Sequence, residues 1–186
     1  MEAIITAIHM GHESITRLRI DRGVPVKGQY EPLNCAASSE HEGMVPLLLK
    51  YGADVNLGGY EDDYMGLIKL TPLICAASNG RDRAVRLLLE HGADANARAG
   101  GPFRHLNDTL TWLMRRLWEY YPSHKAGSAV VYAAKQGHTT TVQLLLDHGV
   151  DISIKDELGR TALKYASDRG FKEIEELLLN YDRVTV

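Results

Sequence analysis

"TPLICAASNGRDRAVRLLLEHGADAN" (residues 71–96) decides the fold, because the chain carries it more than once. Set beneath it, "EPLNCAASSEHEGMVPLLLKYGADVN" (31–56) matches in register at Pro-Leu, Cys-Ala-Ala-Ser, Val-x-Leu-Leu-Leu and Gly-Ala-Asp. "SAVVYAAKQGHTTTVQLLLDHGVDIS" (128–153) and "TALKYASDRGFKEIEELLLNYD" (161–182) repeat the same order, and "EAIITAIHMGHESITRLRIDRGV" (2–24) is a weaker copy. Self-similarity of this kind marks an array of small units, each of which buries its apolar face only by stacking on its neighbours.

Every unit reads as two short helices. Thr71 and Thr161 suit an N-cap, and Pro72 suits the first helical turn. Ala76, Ala77, Ala133 and Ala134 supply small side chains where helices approach closely. Gly80, Gly137 and Gly170 can end the first helix in a left-handed conformation, and Gly52, Gly92 and Gly149 the second. The Val-x-Leu-Leu-Leu run between them is the buried face of the second helix.

The recurring T-P-L, A-A-x-x-G-H, L-L-L and G-A-D-V-N elements resemble the ankyrin repeat, over nearly the whole chain outside two insertions. The resemblance implies an all-α solenoid of about five helix pairs joined by hairpin fingers, with residues 1–186 forming a single domain. It also implies protein binding on a concave groove and no catalysis. Unit starts at Glu2, Glu31, Thr71, Ser128 and Thr161 are separated by 29, 40, 57 and 33 residues. Against a period of about 33 residues, the second finger holds about 7 extra residues within 57–70 and the third about 24 within 98–127. Such insertions gather on one edge of a solenoid, often the binding edge.

The longer insertion contains "TWLMRRLWEYYPSHK" (111–125). Asn107 or Asp108 can cap a helix over about Thr109–Tyr120, which Pro122 stops. Leu106, Leu110, Leu113, Met114, Leu117, Trp118 and Tyr121 follow helical spacing and predict a stripe that docks on the array. Trp112, Arg115, Arg116 and Tyr120 are then left to face a partner or ligand, being residue types enriched in binding hot spots. Asp62 and Asp63 of the second finger and His105 of the third complete a candidate binding edge of mixed charge.

By the same resemblance, Ser78, Asn79, Lys135 and Gln136 line the middle of the groove, with His9, Met10, Ser38, Ser39, Asp168 and Arg169 at the matching positions of the other units. Tyr30, Leu70, Gly127 and Arg160 precede the Thr positions and are expected to face it too. The main functional reading is a protein-binding scaffold. The alternative is a small-molecule pocket, binding or catalytic, between Ser78 and Lys135 under the 98–127 insertion.

Catalytic and metal motifs are not found. The eight histidines form no H-E-x-x-H and no Cys/His set with zinc spacing, and the phosphate-binding glycine patterns are missing. No cofactor is expected. Were there acid–base chemistry, Asp62, Asp63, His105, His124 and Lys135 would carry it. His12, His91, His138 and His148 read as structural, and "EHE" (40–42) as a solvated helix start. Cys35 and Cys75 share one position in adjacent units, about 10 Å apart in packed helices, and read as core residues rather than a disulfide. Asn56 and Asn96 read as turn-stabilising residues.

A net charge of −3 gives no field favouring nucleic acid, and no apolar run reaches the 18 or so residues of a membrane span. Two cysteines and no signal-peptide pattern suggest an intracellular, cytoplasmic or nuclear protein. Arg17, Arg19, Asp21 and Arg22 at one end, and Lys172, Glu173, Glu175 and Glu176 at the other, predict polar end faces. From them the chain is expected to be a complete array and a monomer.

Overall fold

The computed structural model describes residues 2–26, 32–41, 43–61, 68–100 and 127–185. Among them, ten α-helices form five antiparallel pairs: α1 (Glu2–His9) with α2 (Glu13–Asp21), α3 (Pro32–Ser38) with α4 (Met44–Lys50), α5 (Pro72–Ser78) with α6 (Asp82–Glu90), α7 (Ala129–Gln136) with α8 (Thr139–Asp147), and α9 (Ala162–Arg169) with α10 (Lys172–Thr185). First helices pack side by side in chain order, and second helices pack in a parallel layer behind them. The inserted helix expected at 109–120 lies outside the described residues.

Local chemistry sets the helix bounds. Thr71 Oγ1 accepts from the Ile74 amide at 3.3 Å, Thr161 Oγ1 accepts from the Lys164 amide at 3.3 Å, and Pro72 opens α5. Between the layers, Leu33, Leu48, Leu73, Ile74, Leu88, Leu145, Ile174 and Leu178 are buried to 1% exposure or less. At about 1.5–3 kcal/mol per large side chain removed from water, this shared core holds the array together. Cys75 lies in it, 1% exposed, and the two cysteines are not joined in a disulfide.

Adjacent repeats are also tied by a polar residue between the two helices of the second, third and fourth repeats. His41 Nε2 lies 2.9 Å from the His9 carbonyl oxygen, Arg81 Nε donates to the Ser38 carbonyl at 3.2 Å, and His138 Nε2 reaches the Ser78 carbonyl at 3.2 Å. His91 and His148 bond instead to carbonyls of their own helices, Leu87 and Leu144, each at 2.8 Å. These contacts give His91, His138 and His148 the structural work expected of them.

A Cβ on Gly80, whose φ is +63°, would fall 2.6 Å from His138 Nδ1, so close stacking requires glycine there on two counts. Gly11, Gly137 and Gly170 occupy the same position with positive φ, but the second repeat has Glu40 there. Without the left-handed turn, the α3–α4 connection takes residues 39–43, whereas α5–α6 needs only 79–81.

The opposite edge carries the fingers. Asn56 Oδ1 accepts from the Asp94 amide at 2.8 Å while its Nδ2 donates to the Gly92 carbonyl at 3.1 Å. Asn96 Oδ1 accepts from the Asp151 amide at 2.8 Å. Both asparagines therefore staple one finger to the next. In the second finger, β1 (Gly59–Glu61) pairs antiparallel with β2 (Ile68–Leu70), two short strands in an otherwise helical fold.

Candidate functional site

The described part of the groove is built from the C-terminal ends of the first helices. Ser78 is half-buried and Asn79 exposed. The Asn79 amide is turned back onto its own helix, donating to the Cys75 carbonyl at 2.9 Å. Lys135 is half-buried and Gln136 exposed in the next repeat. Not every residue expected at the groove reaches it. Leu70 is 6% exposed, and its carbonyl accepts from Asn34 Nδ2 at 2.7 Å. Gly127 is buried against Val131. Arg160 is exposed, and Tyr30 lies outside the described residues. The two buried positions precede helices that the finger backbone covers, which the residue types alone do not reveal.

Arg160 and Lys135 meet over one ring. The Arg160 guanidinium carbon lies 5.5 Å and the Lys135 ammonium 5.8 Å from the Tyr165 ring centroid, within cation–π range. Tyr165 is 5% exposed, and its hydroxyl donates to Asp156 Oδ2 at 2.6 Å. Asp156, also 5% exposed, accepts through Oδ1 from the Leu158 and Arg160 amides at 2.8 and 2.9 Å. Its charge is thereby used inside the turn, while the two cations stay at the groove rim. Position gave Arg160 and Lys135 in advance, but not the aromatic plate between repeats that joins them.

Burial, then the bond to Asp156, pushes the Tyr165 phenol from 10.0 up to about 12, although Arg160 pulls it the other way. A folded-state value above the unfolded one means that the folded protein holds the proton between pH 10 and 12. The stability this contributes is complete below pH 10 and lost as pH rises through 12. Tyr165→Phe should therefore flatten the alkaline fall in the urea midpoint relative to the parent. Superimposable pH profiles would contradict this burial of the phenol.

The roots of the two insertions are bound to each other. Lys69 N donates to the Gly100 carbonyl and Gly100 N to the Lys69 carbonyl, both at 2.8 Å. Ala99 N donates to the Gly127 carbonyl at 3.0 Å, and Arg98 pairs with Ser128 in an antiparallel bridge. One backbone layer thus spans Gly59–Glu61, Ile68–Leu70, residues 98–100 and residues 127–128. Trp112, Arg115, Arg116, Tyr120, His105, Asp62 and Asp63 belong to the segments leaving this layer and lie outside the described residues, as does His124.

On the edge opposite the fingers, a cleft of about 370 Å³ opens between the second and third repeats, lined by Ser39, Glu40, His41, Arg81, Asp82 and Arg83 with small apolar residues beneath. It follows from the longer turn at Glu40. Glu40 and Arg81 pair across it at 3.1 Å, although Glu40 remains 79% exposed and the pair is worth only about 0–1 kcal/mol. Glu40 and His41 of "EHE" therefore tie adjacent repeats ahead of α4, which begins at Met44, while Glu42 lies outside the described residues. Glu40 in a glycine position was the visible signal of this tie. The cleft lies between the second and third repeats, one junction away from the pocket expected between Ser78 and Lys135.

Among the described residues, no group of three or more His, Cys, Asp or Glu is placed to hold a metal ion. No described helix is long and apolar enough to cross a membrane.

The chain matches the family described as "Ankyrin repeats (3 copies)" over residues 103–186, and "Ankyrin repeat" over 30–60 and 69–99. The chain belongs to the ankyrin-repeat family. Ankyrin repeats are in general modules for protein–protein interaction. The array is 37% identical over 67 residues to the rice protein "Probable E3 ubiquitin-protein ligase XBOS32" (Oryza sativa subsp. japonica), 36% of this chain and 14% of that one. It is 43% identical over 56 residues to human "NAD-capped RNA hydrolase NUDT12", 30% of this chain and 12% of that one. The matches thus span about a seventh of each relative's length or less, and the activities in these names are those proteins' own.

Proposed function

We propose that this ankyrin array is a protein-binding scaffold whose partner sits across the groove and the two enlarged fingers. The observation that carries this reading is the backbone layer joining Lys69 to Gly100 and Ala99 to Gly127. Both insertions leave the array from adjacent points on one edge, so their side chains can act as one surface. Trp112, Arg115, Arg116 and Tyr120 are its anchors, with Asp62, Asp63 and His105 beside them. Ser78, Asn79, Lys135 and Gln136 continue it along the groove, where Lys135 and Arg160 over Tyr165 favour an acidic side chain of the partner. Relatives with unlike named activities that each match 36% of this chain or less fit a scaffold reused in different settings.

The test is binding of a captured partner to the Arg115→Glu, Arg116→Glu double variant. Loss of two hot-spot arginines should weaken it at least about a hundredfold, with a melting temperature within a few degrees of the parent. Unchanged affinity would remove these residues from the interface.

A further inference from the structure

Charge is distributed unevenly along the groove. The groove positions of the second and third repeats hold Ser38, Ser39, Ser78 and Asn79, none of them charged. Three of these turn back onto their own helices. Ser38 Oγ lies 3.2 and 3.1 Å from the Asn34 and Cys35 carbonyls, Ser39 Oγ donates to the Ala36 carbonyl at 2.9 Å, and Asn79 Nδ2 donates to the Cys75 carbonyl at 2.9 Å. The middle of the groove is therefore small and neutral. The junction of the fourth and fifth repeats differs, because Lys135 and Arg160 share the Tyr165 ring there. The carboxylates nearby are engaged elsewhere. Asp156 is 5% exposed and accepts from the Tyr165 hydroxyl and two backbone amides, and Asp168 pairs with Lys164 of its own helix at 2.6 Å.

We propose that this junction is a carboxylate subsite, taking an aspartate or glutamate from an extended acidic segment of the partner while the rest of that segment crosses the neutral groove of the third and second repeats. The subsite rests on the scaffold reading above and adds to it the place, sign and chemical class of one contact. Carboxylate rather than phosphate follows from the donors present. Phosphate subsites draw on several donors, commonly backbone N–H groups as well as cations. Here the Leu158 and Arg160 amides and the Tyr165 hydroxyl are all committed to Asp156, which leaves the two side-chain cations. A planar guanidinium matches the two oxygens of a carboxylate. The Tyr165 ring holds that guanidinium and the Lys135 ammonium at one place before a partner arrives, which lowers the ordering cost of binding. Charge contacts of this kind set which partner pairs and in what register more than how tightly it holds. An acidic residue therefore belongs at the fourth–fifth junction, and not over Ser38 or Ser78.

The test is a nuclear magnetic resonance titration of the full chain with capped triglutamate. The Arg160 side chain and the amides of Lys135 and Gln136 should shift, while those of Ser38, Ser39 and Ser78 should stay. Capped triglutamine should shift none of them. Arg160→Gln should abolish the shifts at the same peptide concentration, and Arg160→Lys should retain part of them. Arg86→Gln, the same loss of charge at an exposed position of α6, should leave them intact. Replacing the central glutamate by phosphoserine should tighten binding less than about tenfold. Circular dichroism checks that the variants fold. An unmoved Arg160, equal shifts with triglutamine, shifts centred on Ser38 or Ser78, or a larger gain from phosphoserine would overturn the proposal. The subsite and the finger surface fail separately. If the Arg115→Glu, Arg116→Glu double variant loses its captured partner but triglutamate leaves Arg160 unmoved, the subsite falls and the scaffold stands. If triglutamate shifts Arg160 while that double variant binds its partner unchanged, the subsite stands and the finger anchors fall.

Discussion

Asp156→Ala will destabilise the array by about 3–5 kcal/mol, measured as the loss in unfolding free energy in urea. The carboxylate is 5% exposed and accepts from the Leu158 and Arg160 amides and from the Tyr165 hydroxyl. Removing it strands all three donors, one of them on a side chain buried between the fourth and fifth repeats. Each orphaned buried donor costs about 1–3 kcal/mol, partly relieved where water enters the turn. Asp156→Asn keeps an acceptor and should cost less than half as much. In a repeat array the damage is local, since each repeat leans only on its neighbours. Amide exchange should therefore rise in α9 and α10 before it rises in α3. A loss below about 1 kcal/mol would mean that water replaces the carboxylate without penalty.

The second large effect separates two glycines that look alike in sequence. Gly80→Ala should cost about 2–4 kcal/mol, and Gly92→Ala about 1–2. Both have positive φ, +63° and +84°, so both pay the left-handed penalty of an added Cβ. At Gly92 that Cβ meets nothing within 4 Å, whereas at Gly80 it lands 2.6 Å from the His138 ring. The ring must move and surrender its 3.2 Å contact with the Ser78 carbonyl. Equal losses at the two sites would show that the inter-repeat contact contributes little.

The repeat was legible because five copies could be set against one another. Matching positions exposed Thr71, Gly80 and the leucine runs as parts of one plan, and they hold those places in the fold. The insertions have no second copy in the chain, and a stripe such as Leu110, Leu113 and Leu117 shows which side of a helix is apolar without showing what it meets. Two groove positions, Leu70 and Gly127, were misplaced because their burial depends on finger backbone rather than on their own chemistry. The plate formed by Tyr165 between Lys135 and Arg160 joins residues from two repeats, a juxtaposition that spacing within one repeat does not encode. Glu40 stood in plain view as the exception to a glycine column, but its consequence, a longer turn and an open cleft, needed the structure.

The most direct test of the binding surface is a quantitative pull-down from a cell extract, comparing the intact chain with one lacking residues 101–126. Gly100 and Gly127 already flank Ala99 in one bonded layer, so the deletion should leave a folded, mostly helical array by circular dichroism. The proteins enriched by the intact chain should fall at least about tenfold with the deletion. A folded deletion variant that retains the same proteins at the same yield would contradict a partner surface built on the enlarged fingers.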